Sequence, residues 1–353
     1  MKLSKVKINA ATPARPRGSV LVIYTGGTFG MTYDTDGVLV PFDFSQILGY
    51  LPPLKHMALE LTVVSFESPI DSSNIAPEHW RVIAEVIYEN YQENDGFVVL
   101  HGTDTMAFTA SALSFMLEGL KKPVVFTGAQ LPISEPRSDA RENLITAIEI
   151  ASDRKDGKAL VPEVCIYFDY ELLRGNRSRK VESMQFDAFD SGNYPLLAKA
   201  GVKIDYNFSA IRRAPTGEFK LHSAFDSRIS ILKLFPGISK ETARAVLGTP
   251  GLRGVVLETY GSGNAPTLPW LVADLEAAIQ NEVIVLNISQ CPGGMVMQGR
   301  YETSKDLQRI GVIGGSDLTT EAAVTKLMIL LGEHDQDQAA LLIRESLAGE
   351  MSV

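Results

Sequence analysis

The chain reads as an α/β protein: a large N-terminal domain with a mainly parallel sheet flanked by helices, followed by a smaller C-terminal α/β domain. Short apolar runs alternate with helical periodicities along most of it, the pattern of parallel strands buried on both faces. Two of those runs end in Gly-Thr turns, Tyr24-Thr25-Gly26-Gly27-Thr28-Phe29-Gly30 and His101-Gly102-Thr103-Asp104-Thr105. A length of 353 residues also exceeds one ordinary core, which favours one large and one smaller domain.

Strands are expected at Val20–Tyr24, Leu61–Phe66, Phe97–Leu100, Val124–Thr127 and Glu163–Phe168, each a compact apolar run. A helix is expected after Asp104, because Met106, Ala110, Leu113, Leu117 and Leu120 recur at helical spacing. Asp139 with Glu142 three residues on resembles a capping box, and Leu144, Ile145, Ile148 and Ala151 then line one face. The rhythm is lost between Lys203 and Asp226, where Asn207, Pro215 and Gly217 suggest a linker with a short hairpin. The expected division is therefore 1–202, a linker at 203–226, and 227–353. The second domain repeats the alternation: strand Ile229–Leu234, helix Ser239–Leu247, strand Gly254–Leu257, helix Leu271–Gln280, strand Val283–Ile288, then helices at Thr320–Leu331 and Asp337–Leu347.

Composition narrows the function classes. A formal charge of −9 disfavours nucleic acid as a partner, since wrapping it calls for a basic face. No run approaches the ~18 apolar residues of a membrane span, and no signal-peptide h-region follows the early lysines. The two cysteines, Cys165 and Cys291, have neither metal-ligand nor disulfide spacing. The expectation is a cytoplasmic protein that uses no metal or other cofactor.

In open α/β sheets, ligands bind beyond the carboxyl ends of the strands, so both Gly-Thr turns place hydroxyls at one crevice. The first turn matches neither nucleotide-binding template: no Gly-Lys-Ser/Thr follows, and its glycines are not spaced G-x-G-x-x-G. The polar stretch Met31–Gly37 fits a flap over a small-molecule site, while tight-turn glycines alone remain the plainer reading. In the second turn Asp104 either caps the following helix or accepts a substrate ammonium group, with nearby hydroxyls and amides for a carboxylate. A ligand bearing both groups is an α-amino acid. The basic cluster from Arg174 to Lys180 is either a solvated loop or the source of one cation reaching the crevice, where a lysine helps take a threonine proton. Asp71-Ser72-Ser73-Asn74 reads as a turn able to bind a ligand, and His101 as structural.

Together these segments resemble the bacterial asparaginase family, specifically its cytosolic type I branch. The matching pieces are Tyr24-Thr25-Gly26-Gly27-Thr28, Asp71-Ser72-Ser73, His101-Gly102-Thr103-Asp104-Thr105-Met106-Ala107, Thr127-Gly128-Ala129-Gln130, Arg174-Gly175-Asn176-Arg177 with Lys180, and Tyr260-Gly261-Ser262-Gly263-Asn264-Ala265-Pro266. Gly311-Val312-Ile313-Gly314-Gly315 and Thr325-Lys326-Leu327 complete them in unchanged order. The resemblance implies hydrolysis of L-asparagine to L-aspartate and ammonia, with Thr28 as nucleophile. It implies that Thr103, Asp104 and Lys180 activate water or the nucleophile. It further implies that Asp71, Ser72, Ser73, Thr103 and Asp104 hold the α-amino and α-carboxylate groups, and that Asn264 reaches the site of a neighbouring subunit in a homodimer or homotetramer.

Two positions depart from the family pattern. A flap tyrosine is replaced near Val38, leaving Tyr33 as the nearest tyrosine. At a position where some type I enzymes carry an effector-binding arginine, this chain has Glu258, with Cys291 retained; weak or absent activation by asparagine is expected. Two other functions fit the same motifs: the ammonia-supplying component of a tRNA-dependent amidotransferase, and a non-catalytic amino-acid sensor. The first of these families carries an additional N-terminal domain, whereas about 19 residues precede Val20 here. Retention of all four polar residues Thr28, Thr103, Asp104 and Lys180 speaks for an enzyme over a sensor.

Overall fold

Every residue from Val20 to Tyr24, Phe97 to Leu100 and Val164 to Phe168 is buried, which requires cover on both faces of the sheet these strands build. In the computed structural model the described residues are 2–8, 16–33, 39–41, 51, 54, 57–300 and 302–352. They form two compact units, Met1–Leu221 and His222–Val353.

The first unit is built on a nine-stranded sheet. Its strands are β1 (Leu3–Ile8), β2 (Gly18–Gly26), β3 (Leu59–Ile70), β4 (Gly96–Leu100), β5 (Val124–Thr127), β6 (Val164–Phe168), β7 (Glu171–Arg174), β8 (Ala198–Ala200) and β9 (Ile204–Tyr206). Their spatial order is β1-β3-β2-β4-β5-β6-β7-β8-β9. The five strands from β3 to β6 are mutually parallel. The outer pairings are antiparallel, so the expected parallel strands form the centre of a mixed sheet. At β6–β7 and β8–β9 the physical reason is loop length: antiparallel neighbours need only a tight turn, whereas parallel ones need a crossover. Asp169 and Tyr170 make such a turn between β6 and β7 with φ of 44° and 67°. Tyr170 stands where the Asp-Gly pattern of such turns places glycine, so the hairpin carries no glycine signal in the sequence.

Helices α1 (Pro77–Glu89), α2 (Met106–Met116) and α3 (Ala140–Ser152) supply the crossovers. The alternate residues Val20, Val22, Val98, Leu100 and Val125 pack against Leu144, Ala147, Ile148 and Ala151 of α3. Helix α2 ends before Leu117 and Leu120, which were expected on its apolar face. Gly119 at φ 75° turns the chain, and Leu117–Glu118 pairs with Lys220–Leu221. The capping box at Asp139 does not form: Asp139 is itself helical in backbone and makes no cap hydrogen bond. Its carboxylate instead accepts from the backbone N–H of Gln130 and Leu131. The stretch expected as a linker contributes β9 and Lys220–Leu221, because pairing satisfies backbone groups that a bare linker leaves to water.

In the second unit β10 (Ile229–Lys233), β11 (Gly254–Thr259), β12 (Ile284–Ser289) and β13 (Ile313–Gly314) form a parallel sheet in that order. Its helices are α4 (Lys240–Leu247), α5 (Pro269–Gln280), α6 (Glu302–Arg309), α7 (Thr320–Glu333) and α8 (Gln336–Leu342). Helix α6 escapes a sequence reading because its residues are almost wholly polar.

The chain steps from β2 to β3 on one side and then to β4 on the other side of β2, so the topology reverses between β2 and β4. Ligand crevices form at the carboxyl ends of strands at such a reversal. Both Gly-Thr turns sit there, and they touch. A Cβ on Gly27, whose φ is 86°, would lie 2.6 Å from the Gly102 Cα. Gly27→Ala is therefore expected to destabilise the protein by about 1–3 kcal/mol, because backbone cannot step aside as a side chain does. A urea denaturation midpoint equal to that of the unsubstituted protein would contradict this contact.

Candidate active site

Thr28 opens a single 3-10 turn, Thr28–Gly30. Phe29 is fully buried and anchors that turn, while Thr28 stays half-buried beside it. The Thr25 hydroxyl donates to the Leu100 carbonyl at 2.9 Å, tying the end of β2 to the end of β4. The glycine before Thr28 and the glycine before Thr103 are the pair in contact, so the two turns are joined at the residues just preceding their threonines.

Thr103–Thr105 forms a second 3-10 turn that runs directly into α2. Asp104 does not cap the helix. Lys180 donates from Nζ to Asp104 Oδ1 at 2.7 Å and to Thr103 Oγ1 at 2.7 Å. The open alternatives for the basic cluster are thereby decided: Lys180 is the cation that reaches the threonine turn, and most of the rest is buried. Arg174 donates to Glu163 and to the Ala210 carbonyl, with Arg174 and Arg177 both lying over the Tyr194 ring. That packing holds the 3-10 turn Gly175–Arg177, from which the chain leads into the short strand of Lys180.

Asp71 accepts from the backbone N–H and the hydroxyl of Ser73, and these bonds hold its carboxyl below the usual range. The following turn, Ser72–Asn74, packs on the second threonine turn: the Thr105 hydroxyl donates to the Ser72 carbonyl at 2.7 Å. Gly102 permits this approach, since a Cβ there would lie 2.5 Å from Ser72 Oγ. Asp71, Ser72, Ser73, Thr103, Asp104 and Lys180 thus meet at the carboxyl ends of β3 and β4.

His101 is structural in position. Its Nδ1 donates to the Gly102 carbonyl and its Nε2 accepts from Thr109, whose oxygen also takes the Trp80 indole N–H. Burial pushes its pKa down to about 4. The other expected residues lie elsewhere. The backbone of Tyr33 pairs with that of Leu39 in a hairpin, and Val38 lies outside the described residues. Asn264, Glu258 and Cys291 belong to the second unit. Asn264 closes a turn by bridging to Tyr260. Glu258 is buried, accepts from Thr320 at 2.6 Å and pairs with Lys233. Cys291 is exposed and free. Among the described residues no group of three His, Cys, Asp or Glu could hold a metal ion.

Sequence reasoning assigned no role to Gln130, whose Oε1 accepts from Thr103 Oγ1 at 3.3 Å. Nor did it single out Glu163, the buried partner of Arg174. Only the motif Thr127–Gln130 pointed towards the first, and no local signal marks the second. Chemically, the cluster offers two threonine hydroxyls, one of them bonded to an ammonium that a carboxylate holds, which are the parts of an acyl-transfer site.

The residues at 19–212 match the family model for the N-terminal domain of asparaginase, and 228–341 match that for the glutaminase/asparaginase C-terminal domain. L-asparaginase 1 of Escherichia coli is 39% identical over 95% of this chain and 98% of its own. The crystal structure of L-asparaginase I from Vibrio cholerae superposes with a TM-score of 0.86 at 40% identity, covering 96% of this chain and 100% of that one. A component of the glutamyl-tRNA(Gln) amidotransferase of Methanopyrus kandleri is 36% identical over 94% of this chain and 75% of its own. The chain belongs to the asparaginase family.

Two outcomes test the framework of the site. Glu163→Ala strands the Arg174 guanidinium and is expected to cost about 3–5 kcal/mol, measured by chemical denaturation; a loss under 1 kcal/mol would contradict the role assigned to the pair. The depressed pKa of His101 means the unfolded chain binds its proton first. Its contribution of about 3 kcal/mol is therefore complete above pH 6.5 and lost as the pH falls towards about 4. An imidazole NMR titration of the native protein centred near 6.5 would overturn this.

Proposed function

We propose that this protein is an L-asparagine amidohydrolase, releasing L-aspartate and ammonia. The observation that carries the reading is the Lys180–Thr103–Asp104 cluster set against the Thr28 turn at the reversal of the sheet, in a chain of the asparaginase family. Thr28 Oγ1 attacks the side-chain amide carbon; its proton passes to the amide nitrogen, which leaves as ammonia, and an ester to Thr28 remains. Water then adds to that ester, and its collapse returns the proton to Thr28 and frees aspartate. A threonine hydroxyl needs help to attack. The Thr103, Asp104 and Lys180 set supplies it, with Tyr33 on the hairpin as a second candidate. The carboxylate of Asp71 suits the substrate ammonium, and Ser72 and Ser73 with the amides of the Thr103 turn suit its carboxylate.

The family resemblance supports three further elements of this reading: a homodimer or homotetramer, Asn264 completing a neighbour's site, and action in the cytoplasm. No helix among the described residues is long and apolar enough to cross a membrane. With Glu258 already committed to Thr320 and Lys233, the region of Glu258 and Cys291 acts as a vestigial effector site. The likeness to the amidotransferase component supports a second reading, supply of ammonia to a partner.

Ammonia release from asparagine and from glutamine distinguishes these. The unsubstituted protein is expected to release it from asparagine, with a hyperbolic dependence on concentration. Thr28→Ala is expected to lower the rate on the order of 10⁴-fold or more. Release from neither amide by folded protein would overturn the reading in favour of a sensor or of an ammonia supplier that awaits its partner.

A further inference from the structure

The Thr103 hydroxyl sits in a chain of hydrogen bonds whose directions are all determined. Gln130 Nε2 donates to the Gln185 carbonyl at 2.9 Å. A backbone carbonyl only accepts, so the amide is oriented with its NH₂ towards Gln185 and its oxygen towards Thr103. That oxygen also only accepts, which makes the Thr103 hydroxyl the donor in their 3.3 Å contact. On its other side the Lys180 ammonium only donates, so Thr103 Oγ1 accepts there, at 2.7 Å. The rotor is thus pinned, with its proton towards Gln130 and one lone pair towards Lys180. The remaining lone pair is left for whatever lies in the crevice.

We infer that Gln130 is a positioning residue that makes Thr103 an acceptor towards the substrate or the attacking water. Without the Gln130 oxygen the hydroxyl proton is free to swing into the crevice, where it would present a donor to an N–H or O–H that needs an acceptor. Gln130 is itself held independently of its side chain. Its backbone N–H and that of Leu131 donate to the Asp139 carboxylate. Asn143, one turn into α3, donates to that carboxylate and to the Gly128 carbonyl. The loop also rests directly on β4's end, since a Cβ on Gly128 would lie 2.4 Å from the His101 carbonyl oxygen. A side-chain substitution at Gln130 therefore leaves the loop's supports in place.

This role rests on the amidohydrolase reading above, and steady-state kinetics with asparagine separate the two. Gln130→Leu keeps similar bulk and removes the acceptor; kcat is expected to fall roughly 10- to 100-fold with KM changed less than about three-fold. Gln130→Glu keeps an oxygen acceptor for Thr103 although it loses the donor to the Gln185 carbonyl, and is expected to retain clearly more of kcat than Gln130→Leu. Denaturation midpoints establish that both variants are folded. If unsubstituted protein is active and Gln130→Leu matches it, the positioning role is overturned while the amidohydrolase reading stands. Equal losses in the Leu and Glu variants, or a change confined to KM, would overturn it as well. Inactive but folded unsubstituted protein would sink both.

Discussion

The contact between Gly27 and Gly102 is the constraint on which the threonine end of the first unit depends. Neighbouring parallel strands lie roughly 4.8 Å apart, and a Cβ on Gly27 would meet the Gly102 backbone and force the chain ends of β2 and β4 to diverge. With no Cβ on Gly27 the two turns meet through backbone, the bare Gly102 admits the Ser72 turn, and Thr25 closes the join by bonding to Leu100. The residues immediately after the two glycines are Thr28 and Thr103. Their hydroxyls are therefore located by a contact between elements that are far apart in the sequence.

Two ion pairs of opposite character complete that end. Lys180 and Asp104 retain 18% and 65% of their side-chain exposure, and a pair that open contributes about 0–1 kcal/mol to stability. Its placement serves the local field at Thr103 more than the fold. Arg174 and Glu163 keep only 5% and 2%, so neither charge tolerates the loss of its partner. The buried pair, with Tyr194 stacked on Arg174 and Arg177, makes a rigid base from which the partly buried lysine projects. Rigidity below and access above is the division that preorganised polar chemistry requires.

The second unit repeats the architecture with a different outcome. Its four strands are all parallel, and polar groups again gather at their carboxyl ends. There the buried Glu258 is paired with the exposed Lys233 and bonded by Thr320, so its charge is already met by the protein's own groups. In the first unit Asp71 is held ionised by Ser73 and remains exposed to a ligand. Parallel strand ends thus carry a carboxylate committed to neighbouring side chains in one unit and one left open to a ligand in the other.

What the sequence determined by itself was local. Apolar runs set the five parallel strands, the Gly-Thr pattern marked the turns, and the order of motifs carried the family resemblance, because each depends on residues a few positions apart. Antiparallel β7 was not legible, since Tyr170 adopts positive φ where a turn glycine would have marked the hairpin, and only the pairing of β6 with β7 compensates it. Asp139 looked like a helix cap, and tertiary structure spent its carboxylate on Gln130 and Leu131 instead. Local sequence left open which of the four cations from Arg174 to Lys180 faces the threonines, and only the resemblance named Lys180; in the fold it bonds Thr103 and Asp104 while Glu163 and Tyr194 claim the arginines at 174 and 177. Hydrogen-bond partners drawn from distant strands have no periodicity to announce them; they exist only once the sheet brings the strand ends together.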